Sequence, residues 1–166
     1  MLAKESASDP ASSRTMLLAI GPEQLSVRIS GGMQPPVMQS VDVGVESIAR
    51  SWFKHEPPTA LELEQAIEVI EEALEALRGL IAPDLRLLTE DKGVLEIAEL
   101  AAAPAQAGTR LSRDLVEQTF GRLAAITQGR PASIEGLTEG CFFAARLLIL
   151  REFMHHMKFD AISLEA

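Results

Sequence analysis

A chain of 166 residues with 47% apolar side chains is long enough for one domain that buries about two-thirds of its unfolded surface. Its net charge of −9, with 15 Lys and Arg that are nowhere adjacent, excludes the basic stripe that a nucleic-acid binder needs. The one cysteine, Cys141, excludes an internal disulfide, and no apolar run is long enough to cross a membrane. Met1 to Arg14 is polar and rich in Ser and Ala, without the apolar segment of a secretion signal. It reads as a mobile tail on a cytoplasmic domain that occupies 15–166.

The first elements are strands. Thr15 to Ile20 and Leu25 to Ser30 are apolar or alternating runs around Gly21-Pro22-Glu23-Gln24. That pattern predicts a hairpin, with Pro22 presetting the turn and Leu25, Val27 and Ile29 on one face. Gly31-Gly32 ends the second run, and Val37 to Val43, after Pro35-Pro36, is a third strand of the same meander. Gly44 breaks it, and Val45 to Phe53 suits a short helix.

His55-Glu56-Pro57-Pro58-Thr59 is punctuation. Thr59 and Glu62 make a capping box, so a helix is predicted over Ala60 to Arg78 with Gly79 just past its end. Leu63, Ile67, Ile70, Leu74 and Leu77 recur at helical spacing and form one apolar stripe. Glu64, Glu68, Glu71, Glu72 and Glu75 decorate the rest; such a row can bind a metal or a basic protein partner, but without histidines at helical spacing it reads as a solvated face. Leu85 to Thr89 is a fourth strand, Glu90 to Gly93 a turn, Val94 to Ala102 the start of a helix or else a second hairpin arm, and Pro104 to Gly108 a loop. Ser112 or Thr109 caps a further helix through Gln128, which Gly129-Arg130-Pro131 ends.

The stretch that organises the chain is Gly140 to Lys158. From Cys141 to Leu150 every residue but Arg146 is apolar, and Arg151 and Glu152 close the run. It reads as a helix buried on most of its circumference, with Cys141 an inert buried thiol. Arg146 requires a carboxylate, a carbonyl or solvent, because Arg is almost never buried unpaired. Phe159 to Leu164 then gives a terminal strand, and a buried helix feeding a strand requires a sheet to cover it. Three strands, helix, strand, helices, strand is the resulting order.

That order, and a series of short patterns, resemble the exopolyphosphatase/guanosine-pentaphosphatase (Ppx/GppA) family, C-terminal half, from about Thr15 onward. Ala19-Ile20-Gly21-Pro22-Glu23-Gln24-Leu25-Ser26-Val27 stands where the family has strand, glycine-rich phosphate loop, strand. His55-Glu56-Pro57-Pro58-Thr59-Ala60-Leu61-Glu62-Leu63 is similar to a family segment, as is Leu87 to Ala98 with its turn at Glu90 to Gly93. Gly136-Leu137 through Phe142 to Leu150 and on to Ile162-Ser163 resembles the closing segment. The resemblance implies one ribonuclease-H-like domain, half of an actin-like ATPase fold, with a mixed five-stranded sheet and packed helices. It also implies phosphate-binding remnants at Gly21, Gln24, Lys92 and Gly93.

The departures from the family pattern bear on function. Family members hold phosphate and metal between two such domains, and this chain has one. Ala19 stands where the family loop has an acid, and Pro22 and Glu23 replace glycines. A phosphate cradle needs free N–H groups and no nearby negative charge. Pro22 removes a donor, and Glu23, Glu90 and Asp91 add carboxylates. Lys92 reads as a turn residue.

His155-His156 are adjacent on a helix and so diverge by about 100°, which suits the helix dipole better than one metal ion. His55 has no sequence-local cluster, and Trp52-Phe53 reads as a core edge. No catalytic residue, metal ligand or cofactor is assigned, and Mg²⁺ belongs only to a surviving phosphohydrolase. The expectation is therefore a degenerate, non-catalytic pseudoenzyme of that family, a binding or structural module that forms a homodimer. The alternatives are a phosphohydrolase or phosphate-ligand binder that completes its cleft with a second chain, and an acidic-helix adaptor for a basic partner. Neither nucleic acid nor a membrane is an expected partner.

Overall fold

The computed structural model describes residues 13–103 and 108–165. The tail expected before Thr15, apart from Ser13 and Arg14, and most of the loop expected at Pro104 to Gly108 lie outside the described residues. Three strands open the fold: β1 (Thr15–Ile20), β2 (Leu25–Ser30) and β3 (Val37–Val41). They pair as the antiparallel meander that the alternation predicts, with Ile20 opposite Leu25 and Leu25 opposite Val41. β3 stops two residues before the expected Val43, because the Val43 N–H turns back onto the Val41 carbonyl at 2.8 Å.

β4 (Arg86–Thr89) lies parallel to β1, and β6 (Ala161–Leu164) lies parallel to β4. Among the described residues the sheet has six strands in the order β3-β2-β1-β4-β6-β5, so the five-strand expectation is corrected. The additional strand, β5 (Arg110–Ser112), is three residues long with one apolar side chain, too short for any alternation to register. Pairing holds it: Leu111 faces Ile162, and Thr109 accepts the Leu164 N–H at 2.8 Å.

The helices are α1 (Val45–Trp52), α2 (Ala60–Leu74), α3 (Lys92–Leu100), α4 (Arg113–Thr127), the single turn α5 (Ala132–Glu135) and α6 (Cys141–His156). Thr59 caps α2 as expected, its hydroxyl accepting the Glu62 N–H, and Ser112 caps α4 through the Leu115 N–H. α2 ends at Leu74 rather than Arg78, and Glu75–Leu80 continues as a 3₁₀ segment. The tighter winding eclipses residues three apart, so Leu77 stays under Leu74 in the core, and both are buried. α3 begins at Lys92, earlier than the expected Val94, because the Asp91 side chain caps it.

α6 is the hub. α1, α2, α3 and α4 all pack on it, and it reaches β1 beneath them. Ala144, Ala145, Leu147, Leu148, Ile149, Leu150, Phe153 and Met154 have no exposed surface. The two alanines let neighbouring backbones approach, while the leucines and Phe153 fill the space between helices. On the sheet, Met16, Leu18, Ile20, Leu25, Val27, Ile29, Leu87 and Ile162 complete this core. The alternate positions, among them Leu17, Ala19, Arg28, Arg86 and Leu88, face the other way and are half-buried or exposed. Among the described residues, no helix is long and apolar enough to cross a membrane.

Candidate functional site

β1 and β4 run parallel, so their C-terminal ends lie side by side and the turns that leave them meet. This is where open α/β sheets place ligand sites. The first turn carries Gly21 and Gln24, the second Lys92 and Gly93. A polar stitch joins them: Thr89 Oγ1 donates to the Leu18 carbonyl at 2.9 Å and accepts the Asp91 N–H at 3.0 Å. Asp91 then takes the Ile20 N–H on Oδ2 at 3.0 Å and the Gly93 N–H on Oδ1 at 2.8 Å. A recess of about 290 Å³ between the turns is lined by Leu17, Ala19, Gly21, Glu90 and Asp91, with Leu18 and Ile20 at its floor.

The donors that an anion would need are directed elsewhere. The Gly21 N–H closes the hairpin on the Gln24 carbonyl at 2.9 Å, and Pro22 has no N–H to offer. The turn instead presents carbonyls to the N-terminus of α1. Val45 N–H donates to Gly21 O at 2.9 Å, and Glu46 and Ser47 N–H groups donate to Pro22 O at 2.8 and 3.2 Å. Those three groups are orphan donors of a helix start, the part of a helix that attracts anions. Gly44 permits the arrangement, since a Cβ there would collide with the backbone of Pro22 and Glu23. Gln24 donates to Asp42 Oδ1 at 2.8 Å, outside the recess, and Lys92 is exposed.

Electrostatics at the two turns are mixed. Glu23, Asp42, Glu90 and Asp91 bring carboxylates. Arg146 answers from α6. Its Nε lies 4.0 Å from Asp91 Oδ1, and its guanidinium lies over Gly93, in the space that a Cβ would fill. This is the partner that the apolar run required, and Nε itself is buried without a hydrogen bond. The structure thus brings Gly21 and Gly93 to adjacent turns while turning Gln24 outward. Sequence reasoning missed the role of Asp91, although an Asp directly ahead of an apolar-periodic run is a helix-start signal.

Elsewhere, His55 Nδ1 sits 2.9 Å from Glu62 Oε1, so its partner is the capping-box glutamate. Glu62 is buried, which alone would raise its pKa. Hydrogen bonds from Thr59 N–H, His55 and Lys54 N–H outweigh burial and hold it at about 2. Cys141 is half-buried at the start of α6, not in the core, because the first turn of that helix is reached by solvent. Burial, then the charges of Glu56 and Glu62, raise its pKa and disfavour the thiolate. Trp52 is half-buried and Phe53 buried, a core edge as expected.

Glu71, Glu152 and His156 place ligand atoms within 4.8 Å of one another, and could hold a cation. His156 Nε2 lies 3.0 Å from Glu71 Oε1 and 3.3 Å from Glu152 Oε2, while Arg151 Nη1 is 2.6 Å from Glu152 Oε1. The arrangement is complete as an ion-pair network that ties α2 to α6. Burial of Glu152, opposed by Arg151 and His156, raises its pKa.

No family model and no curated protein matches the chain. Solved structures do. The fold is similar to that of the Aquifex aeolicus Ppx/GppA phosphatase in its type II variant, with 14% identity, a TM-score of 0.69 and 93% of this chain against 53% of that one. An exopolyphosphatase-like protein gives 13% identity, a TM-score of 0.70, and coverage of 97% and 59%. An exopolyphosphatase from Cytophaga hutchinsonii gives 16%, 0.65, and 96% and 55%. The chain therefore spans little more than half the length of the structures it matches, and shares their actin-like, ribonuclease-H-like architecture.

Proposed function

We propose that the chain is a non-catalytic binding or structural module on a Ppx/GppA-type fold, its phosphate-loop chemistry lost. One observation carries this reading. The Gly21 N–H is closed on Gln24, and the turn's carbonyls hold the N-terminus of α1, so the first turn offers acceptors where phosphate needs donors. The carboxylates of Glu23, Glu90 and Asp91 support it from the electrostatic side. The test is incubation of the chain with polyphosphate or guanosine pentaphosphate and Mg²⁺. No phosphate release is expected, and turnover abolished by Gly21→Ala or Lys92→Ala would overturn the reading.

Arg146 favours a second reading. Its guanidinium beside Gly93 is a cation at the mouth of the second turn, of use to a phosphate ligand held between this chain and another. Thermal stabilisation by inorganic phosphate that disappears in Arg146→Met would support it. For assembly, a homodimer is our proposal, with a second copy standing where the solved structures have further chain. A monomer mass in light scattering, unchanged on tenfold concentration, would refute it.

A further inference from the structure

The sheet face that turns away from the helices has an uncommon composition for this molecule. Pairing registers place Met38, Arg28, Leu17, Leu88, Ser163 and Arg110 in one row across β3-β2-β1-β4-β6-β5. The neighbouring row carries Ser30, Thr15, Arg86, Ala161 and Ser112, by the same registers. In a chain of net charge −9, none of the outward strand positions is Asp or Glu, and the charges there are Arg28, Arg86 and Arg110. All three are exposed, and none has an ion-pair partner among the described residues. Beside β4 and β6 the face deepens into a groove of about 640 Å³ that gathers Arg86, Arg110 and Lys158 over Phe159 and Ala161; Asp160, ion-paired to Arg113, and Glu165 also line it.

Two physical arguments say what covers such a face. β1, β4 and β6 are mutually parallel, and parallel strands are normally buried on both sides, whereas antiparallel ones tolerate water. Among the described residues the centre of this face is Leu17 beside Leu88, both half-buried, with Ala19 and Ala161 near them, an apolar floor. Arg28 and Arg110 flank that floor four strands apart, roughly 19 Å at normal strand spacing. A helix about 10 Å across fits between them.

We propose that this face docks an amphipathic helix of a partner protein, apolar on the stripe that meets Leu17 and Leu88 and acidic on the flanks that meet Arg28, Arg86 and Arg110. Nucleic acid fits less well: Leu17, Leu88, Ala19 and Ala161 make an aliphatic floor rather than a row of aromatic rings for stacking, and a long polyanion would extend past the three arginines into the field of a chain of net charge −9. A second copy docked sheet to sheet would set arginine against arginine. The inference rests on the binding-module reading and names the chemistry of what is bound.

The test uses the full chain and a synthetic helix of about 18 residues, leucines on one stripe and glutamates beside it. Its fluorescence anisotropy is titrated at low salt and at about 0.3 M NaCl. Saturable binding is expected, weakened about tenfold by salt and again by the double variant Arg86→Glu/Arg110→Glu, whose fold is checked by circular dichroism. Amide NMR shifts should fall on β1, β4 and β6. If the double variant misfolds, Arg86→Ser/Arg110→Ser replaces it. Equal affinity in wild type and variant, binding only of an oligonucleotide or polyphosphate probe, or self-association that the variant abolishes would each overturn the proposal. Phosphate release in the assay above would overturn the non-catalytic reading and leave this titration standing, so the two failures are distinguishable.

Discussion

Asp91 accepts the backbone N–H of Ile20 at 3.0 Å, 71 residues away in sequence, while its other oxygen takes the Gly93 N–H at 2.8 Å. One carboxylate therefore both starts α3 and fastens it to the end of β1. Asp91→Ala removes a helix cap and strands a backbone donor, and should cost about 2 kcal/mol. Asp91→Asn keeps an acceptor and should cost clearly less. Urea unfolding midpoints check both, and equal losses would separate the carboxylate's charge from its shape.

Gly93 and Arg146 form a coupled pair. A Cβ at Gly93 would enter the Arg146 guanidinium, so Gly93→Ala forces that side chain off Asp91. In the wild-type background the substitution should destabilise. In an Arg146→Met background it should be neutral or stabilising by up to about 1 kcal/mol, since alanine is the better helix former. The double-mutant cycle measures the difference, and additivity would mean that the two residues do not meet.

Glu62 gives the fold a pH dependence of known sign. Its folded pKa is about 2, below the ordinary 4.5, so its hydrogen bonds contribute stability that is fully present above pH 4.5. The contribution is lost as pH falls from 4.5 through 2. Unfolding midpoints across that window should drop in the wild type and drop less in Glu62→Gln. Thr59→Ala, which removes the reciprocal half of the capping box, should cost about 1 kcal/mol at neutral pH.

Arg151 neutralises a buried carboxylate. Glu152 is almost fully buried and its pKa is raised, by burial first. Arg151→Met takes away the 2.6 Å partner and should cost roughly 3 kcal/mol at neutral pH. A group whose folded pKa is raised favours the folded state when protonated, so the deficit should shrink as the solution is acidified. Denaturant midpoints of the variant and wild type at neutral and mildly acidic pH test this.

How much was legible follows from length and periodicity. The meander, α2, α4 and the α6 hub announced themselves because each repeats its apolar pattern over several turns or pleats. β5 did not, since three residues held by partners carry no pattern of their own. α2 ended early because the choice between α and 3₁₀ winding depends on how Leu77 seats in the core, a tertiary effect. At the candidate site, the missing N–H of Pro22 and the carboxylate of Glu23 were readable from residue chemistry. The destination of the turn's carbonyls was not, since Val45, Glu46 and Ser47 meet Gly21 and Pro22 only through the folded meander. The partner of Arg146 was hidden for the same reason, lying 55 positions upstream.

The place of α6 in the chain also sets the order in which the molecule can be completed during synthesis. α1, α2, α3 and α4 all rest on a helix that begins at Cys141, so none has its full set of neighbours until the ribosome has passed His156. Until then the apolar stripes of those four helices have only the incomplete sheet to lie against. The nascent segment that precedes α6 must be kept from aggregating, and productive collapse becomes available only once α6 has been made. Substitutions in α6 would then be felt first as lost yield of folded protein.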